Sequence, residues 1–361
     1  MAEAVQTRPK RYINTWLVVR IVVGALVGAY LLYRLWYILF QEQAYGPETW
    51  LRLAISGIIL GSVYAVIALG YTLVYGILFM INFAHGEVMM LGCFAGYFTL
   101  EALDATGFLN RDIPSMIISL EVTFLIGMTV GTLVAIALER IAYRPLRMAP
   151  RLVPLISAIG ASLFLQNTAQ LMFGAARNPY TNPEVIERNT GWTIMVGGEE
   201  VLVTYTGVLT IVLSIILMVG LALLVKRSKL GMAMRAVAED KKTAALMGIN
   251  VDRVIGSTFA ISGALAGAAG VLWGLHMGIV YHFVGFVPGL KAFTAAVMGG
   301  IGNIPGAMLG GLSLGVLEAV GPGFLGIDYQ LKDVVAFSIL VLVLIFRPTG
   351  LLGEVLAEKK A

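Results

Sequence analysis

Charge is what this sequence has least of. Asp, Glu, Lys and Arg together make up 13% of its 361 residues, about half of the roughly 25% usual for a water-soluble domain. A soluble surface needs charge, so the deficit excludes an ordinary cytosolic enzyme. Hydrophobic residues make up 58%, which excludes a disordered chain. Cysteine is almost missing: Cys93 is the only one, so no intrachain disulfide can form. Three histidines are too few for a dedicated metal centre unless carboxylates complete it. No G-x-x-x-x-G-K-[ST] occurs, so no P-loop binds ATP in this chain. H-E-x-x-H and C-x-x-C are absent too, which removes the zincin and redox-pair readings. A formal net charge of +4 would suit nucleic acid, but the basic residues are segregated by loop rather than gathered into a patch. Nucleic acid is therefore excluded as a partner.

Apolar runs are what the chain has in quantity. They cover Ile13–Phe40, Leu51–Ala84, Val88–Leu100, Ser115–Leu138, Leu152–Phe173, Tyr205–Val225, Val254–Val280, Pro288–Gly300, Ile304–Ala319 and Leu331–Phe346. A helical crossing takes about 20 apolar residues, so the pattern predicts an all-α fold, a polytopic transmembrane bundle. Several runs are shorter than a crossing. The two around Gly299–Gly306 read either as two spans or as half-helices meeting at a break. Many of the 42 glycines lie inside the runs at four-residue spacing, such as Gly57/Gly61, Gly127/Gly131 and Gly263/Gly267. Such strips let helix backbones approach closely. Arg20 and Arg34, within the first run, are expected to snorkel to opposite interfaces.

Sidedness follows from Lys and Arg. Loops 139–151 and 226–253 carry 4 and 7 of them, whereas loops 41–50, 101–114 and 175–203 carry 0, 1 and 2. The basic loops are therefore expected in the cytoplasm. Arg8, Lys10 and Arg11 at one terminus and Arg347, Lys359 and Lys360 at the other place both termini on that side. Loop 175–203 is the largest external loop. The expected organisation is a basic tail and extra helix over 1–50, a membrane domain over 51–352 and a cytoplasmic tail over 353–361.

Three polar features interrupt the apolar sequence. Asn82, His85 and Glu87 stand together around Gly86, where the helix is expected to break. They read either as a polar hinge beside a translocation route or as caps on loose helix ends. Ser157, Ser162, Gln166, Asn167 and Gln170 form a second set. Ser162, Gln166 and Gln170 make a stripe at helical spacing, suited to a polar or zwitterionic solute or to hydrogen bonds between helices. Gly300 and Asn303, within Gly299–Gly306, mark either a broken helix with inward amides or a plain turn. Glu121 and Glu318 are lone acids; an ion-coupled secondary carrier would need them as its charged pair. His85 and Glu87 could serve an intramembrane enzyme as acid and base, but no nucleophile or metal framework accompanies them. His276 and His282 are expected at the surface.

The loop Ser228–Asn250 is Ala-rich and helix-favouring. Gly248 stands where a helix C-terminus takes a left-handed residue. Val237, Ala244, Ala245 and Gly248 can share one face of a single helix, small and apolar, with Glu239 and Lys242 elsewhere. Such a helix is suited either to docking in another protein's groove or to resting on lipid headgroups as a solvated amphipathic loop.

The run Gly70-Tyr71-Thr72-Leu73-Val74-Tyr75-Gly76, continuing to Ile81-Asn82-Phe83-Ala84-His85-Gly86-Glu87, resembles the permeases of branched-chain amino acid ABC importers, first-subunit type. So do Glu139–Arg147, Arg235–Gly248 and Gly299–Ala307, in order along the chain. The resemblance implies the ABC importer permease fold, with broken or re-entrant helices. It implies a second permease subunit, usually a paralogue, two ATPase subunits and an external substrate-binding protein. It further implies a multi-pass protein of the bacterial or archaeal cytoplasmic membrane that carries a small neutral amino acid. ATP and Mg would sit on the ATPases, so this chain would need no cofactor and catalyse nothing itself. Relatives of similar sequence move urea, short amides or other amino acids. By the same resemblance, Arg235, Glu239, Asp240, Ala244, Ala245 and Gly248 would form the coupling segment. Asn82, His85, Glu87, Gln166, Asn167, Gly300 and Asn303 are the candidates for the pathway.

Overall fold

The computed structural model describes residues 15–40, 45–147, 149–150, 152–347 and 349–353. The tail expected over 353–361 lies outside them apart from Gly353, as do Arg8, Lys10, Arg11, Arg151, Lys359 and Lys360. Among these residues twelve α-helices follow one another: α1 (Thr15–Phe40), α2 (Pro47–Leu78), α3 (His85–Ala105), α4 (Ile113–Leu138), α5 (Leu152–Phe173), α6 (Tyr205–Arg227), α7 (Lys229–Glu239), α8 (Lys241–Leu246), α9 (Val251–Met277), α10 (Phe286–Gly299), α11 (Ile304–Leu325) and α12 (Lys332–Phe346). Among the described residues nine helices are long and apolar enough to cross a membrane. α10 has 14 residues, about 21 Å at helical rise, and falls short. The two short runs thus become a half-length helix and a full one, α11 of 22 residues.

Glycine sets the packing. A Cβ on Gly61 would lie 2.8 Å from the Leu312 carbonyl oxygen, and one on Gly57 2.7 Å from Val316 Cα. α2 and α11 therefore touch backbone to backbone. Gly131 and Gly263 bring α4 and α9 equally close. With no water between helices in lipid, such contacts are where association energy comes from.

The loops fall into the two groups that their charge predicts. At one end Arg144 and Arg147 pair with Asp252 at 2.6 and 2.5 Å, and Arg147 also pairs with Glu139. At the other end Arg52 reaches the Glu200 carbonyl of a β-hairpin, and Asn110 accepts from the Glu184 amide. That hairpin joins β2 (Gly191–Val196) to β3 (Glu199–Thr204), while β1 (Asn178–Pro179) pairs with β4 (Ile279–Val280). Arg34 does not snorkel. Its Nε donates to the Phe324 carbonyl at 3.0 Å and Tyr30 donates to Leu325 O at 3.1 Å. Both carbonyls belong to the last turn of α11, whose backbone acceptors have no partner within the helix.

The chain breaks before Gly86, not at it. α2 ends at Leu78, and Phe79 takes a left-handed φ of 56°. Residues 79–84 turn back, and α3 begins at His85, against Gly70, eight residues before the end of α2. α10 begins at the same level: a Cβ on Gly289 would sit 2.8 Å from Gly86 Cα. Gly86 is needed for this close approach of two helix starts inside the bundle.

The docking segment is also two helices rather than one. Asp240 ends α7 in extended backbone, and its carboxylate accepts from the Lys242 and Thr243 amides at 2.8 and 3.2 Å to start α8. The predicted shared face is therefore split. Val237 and Ala244 are buried, while Ala245 and Gly248 are exposed. Gly248 does take the left-handed conformation, φ 85°.

Candidate translocation site

Glu87 is fully buried in the first turn of α3. One carboxylate oxygen accepts from Gln166 Nε2 at 2.7 Å and from Ser162 Oγ at 3.1 Å, both on α5. The helical spacing of Ser162 and Gln166 aims both at one acceptor. The other oxygen of Glu87 has no partner among the described residues. Burying a carboxylate is costly unless donors surround it, and this clamp of two neutral donors ties α5 to α3. Glu87 does not cap a helix.

Asn82 and His85 face elsewhere. Asn82 Oδ1 accepts from the Tyr143 hydroxyl at 2.7 Å, tying the turn 79–84 to the π-helical turn Glu139–Tyr143 that follows α4. His85 packs edge-on to Tyr71, ring centroids 4.7 Å apart, and its Nδ1 lies 3.4 Å from Ser262 Oγ. His85 and Glu87 share no hydrogen-bond partner, so the structure does not assemble them as an acid–base pair. Asn167 and Gln170 lie on the exposed side of α5. Asn167 donates back to the Leu163 carbonyl at 2.7 Å, so the expected polar stripe ends at Gln166. Ser157 donates to Ala142 O at 3.1 Å. Gly300 (φ 107°) and Asn303 build a turn. Asn303 accepts from the Gly306 amide at 3.1 Å and donates to Leu352 O at 2.8 Å. The structure does not bring either to Glu87.

A cavity of about 250 Å³ lies in front of the Glu87 clamp. α5 lines it with Ile159, Ser162 and Leu163, and α10 with Phe286, Gly289 and Leu290. Tyr71, Phe83 and Gly86 close its back. Leu163 and Phe286 are 53% and 42% exposed, so its mouth is open between α5 and α10. The walls are apolar, and the polar groups at its floor are the Ser162 hydroxyl and the starts of α3 and α10. Several amides of these starts already have acceptors, His85 at Asn82 O, Glu87 at Ala84 O and Phe286 at Phe283 O, so what the starts present to an anionic group is the partial positive charge of a helix N-terminus.

Glu318 is not alone. Its carboxylate, 1% exposed, lies 2.7 Å from the ammonium of Lys291, which is 3% exposed, and Lys291 also lies 2.6 Å from Asp333. Sequence reasoning missed Lys291 because it stands inside a run read as apolar. A lone cation in such a run is the signal that would have found it. Glu121 is exposed. The string Gly311-Leu312-Ser313-Leu314-Gly315 has the letters of a nucleophile elbow, but it lies within α11 instead of a strand-to-helix turn, so it carries no such chemistry.

Long apolar helices, with α3 and the shorter α10 starting inside the bundle beside an open cavity, define a multi-pass membrane permease. The chain belongs to the family described as branched-chain amino acid transport system / permease component, which matches residues 53–344. It is 46% identical over 319 residues to the high-affinity branched-chain amino acid transport system permease protein BraD of Pseudomonas aeruginosa, covering 87% of this chain and 99% of that one. It is 45% identical over 308 residues to the corresponding LivH of Escherichia coli K12, covering 84% and 96%. A probable branched-chain amino acid transport permease protein LivH of Methanocaldococcus jannaschii is 29% identical over 314 residues. No solved structure matches the chain. The family match begins after α1.

Proposed function

We propose that this chain is a permease subunit of an ATP-driven importer of branched-chain amino acids, and that the solute passes through the cavity between α5 and α10. The observation that carries this reading is the cavity itself: apolar walls for an aliphatic side chain, helix starts for a carboxylate, and a mouth open to a further subunit. That subunit is a second permease, which completes the wall. The basic loops face the cytoplasm, with both termini on that side. Two ATPase subunits, which hold the ATP and Mg, grip α7 and α8. There Leu246 and Met247, 87% and 79% exposed, offer an apolar tip in otherwise polar surroundings. An external binding protein delivers the solute. This chain hydrolyses nothing and carries no cofactor of its own. The membrane domain spans 51–352, and α1 is an addition to it.

The test is uptake into vesicles holding the assembled transporter, with L-leucine, urea and a short amide compared. ATP-dependent accumulation of leucine above the other two is expected. Preferential urea or amide uptake would replace the solute assignment. A second reading has one observation in its favour: Lys291–Glu318 is the buried charged pair that an ion-coupled carrier needs. Flux through the chain with no ATPase present would select that reading and end the first.

A further inference from the structure

Lys291 is the buried cation that the solute site does not use. It stands on α10 directly after Gly289 and Leu290, two residues of the cavity wall. Successive helical residues point about 100° apart, so Lys291 leaves α10 on a different side from Leu290. There it meets three other helices. Glu318 of α11 lies 2.7 Å from its ammonium and Asp333 of α12 lies 2.6 Å away. The ring of Tyr64 on α2 is 6.0 Å off. Lys332 of α12 also approaches Glu318, at 3.6 Å, so the group carries two positive and two negative charges. Lys291 and Glu318 are buried, whereas the Asp333 and Lys332 side chains are 47% and 34% exposed; buried charges persist only when paired.

α10 is also held at its two ends. Its last carbonyls, Met298 and Gly299, accept from the Leu351 and Leu352 amides at 2.8 and 3.0 Å. Its start abuts Gly86 with no room for a Cβ on Gly289. Between them the Phe293 ring packs on Tyr71 and Phe83, and the Ala295 carbonyl faces Gly310 of α11; Lys291 adds the charged contact, as the one ionisable side chain of α10. The glycine contact also makes the setting of α10 exacting, because a turn of one residue would drive a side chain into Gly86.

We propose that Lys291 is a positioning residue for transport. By holding Glu318 and Asp333 together, it fixes the rotation of α10 that presents Phe286, Gly289 and Leu290 to the cavity. This rests on the reading of the cavity as the solute path. Lys291 touches no solute; it acts through α10.

The test separates positioning from the mere cost of a stranded charge. Lys291→Met alone leaves Glu318 facing only Lys332 and is expected to lower the amount of assembled protein. The neutral double variant Lys291→Met/Glu318→Gln strands neither of that pair. If the pair serves stability alone, the double variant transports leucine like the parent, and that result overturns the proposal. Positioning predicts an assembled double variant whose maximal uptake falls at least tenfold while its ATP turnover stays within twofold. Lys291→Arg, which keeps the charge, is expected to restore at least half of the uptake. A second readout needs no solute. Cys93 is buried, so Leu163→Cys and Leu290→Cys can be bridged across the cavity by a short dithiol reagent. The bridging yield is expected to fall at least fivefold in the double variant. An unchanged yield overturns the proposal even where uptake cannot be measured. Absent leucine uptake by the parent, with a changed bridging yield, counts against the solute assignment alone.

Discussion

Glu87 and Glu318 are both buried carboxylates inside the same bundle, and the protein satisfies them in opposite ways. Glu87 is held by neutral donors, Ser162 and Gln166, and lies behind Ser162, which lines an open cavity. Glu318 is held by charge, Lys291 with Lys332 beyond it, among tightly packed helices. An ion pair fixes geometry but leaves a large penalty when one member goes. A neutral clamp tolerates exchange, because an amide can accept the same two bonds. The first suits a part that must stay put. The second suits a wall beside a passing zwitterion, where a full counter-charge would bind too tightly.

The largest effect is therefore expected at the ion pair. Lys291→Met leaves a buried carboxylate, and breaking such pairs costs about 3–5 kcal/mol. Glu318→Gln is milder, since Lys291 keeps Asp333 at 2.6 Å. Thermal unfolding of the purified protein should rank parent above Glu318→Gln above Lys291→Met. Equal melting of all three would remove the asymmetry between the two carboxylates.

At the neutral clamp the ranking reverses between isostere and hydrocarbon. Glu87→Gln keeps an acceptor for Ser162 and Gln166 and should melt close to the parent. Glu87→Leu leaves those two donors unpaired, at about 1–3 kcal/mol. Uptake sharpens the contrast. Glu87→Gln is expected to change the half-saturating leucine concentration more than the melting temperature. A melting loss as large as that of Lys291→Met would mean that Glu87 is as structural as Glu318.

The contrast was only half legible in the sequence. Ser162 and Gln166 stand four residues apart and Glu87 interrupts an apolar stretch, so spacing and composition both flagged them. Which of their neighbours point the same way was not legible. Asn167 is one residue from Gln166 and faces out. Asn82 and His85 stand at the same break and bond to the turn after α4 and to α9 instead. Gly300 and Asn303 look like a pathway break but spend their special conformation and side chain on a turn. Lys291 escaped because averaging over Pro288–Gly300 hides one cation among apolar residues, and pairing across 27 positions leaves no local trace. The membrane bundle, the two loop groups and the glycine strips were readable, since each follows from composition or short periodicity. The division of the docking segment was not, because Asp240 stops one helix and starts the next within otherwise favourable sequence.

That division gives the two smaller predictions. Leu246 is 87% exposed, and burying a leucine contributes about 1.5–3 kcal/mol. Leu246→Ser should thus weaken ATPase docking by about tenfold or more, read as lost solute-driven ATP turnover in a normally inserted protein. Gly248 is the poorer probe, because any side chain at φ 85° is strained whatever it docks against.

The smallest effect belongs to Asp240. The Thr243 hydroxyl and the amides of Thr243 and Lys242 donate to its carboxylate and hold its pKa below the ordinary value. A depressed carboxyl pKa contributes stability above the unfolded value of about 3.9, and the contribution is lost as pH falls through the folded value. Between about pH 5 and 8 the cap on α8 is therefore constant, and transport should show no titration from it. Asp240→Asn keeps an oxygen that can accept at the helix start, so its pH profile over that range should overlay the parent's. Asp240→Ala removes the cap, and solute-driven ATP turnover should drop modestly at every pH without a change in profile. If Asp240→Asn were as poor as Asp240→Ala, the charge itself would be engaged with a partner. Asp240 would then be a docking contact, and the break between α7 and α8 would be part of the ATPase surface instead of a turn that positions Leu246.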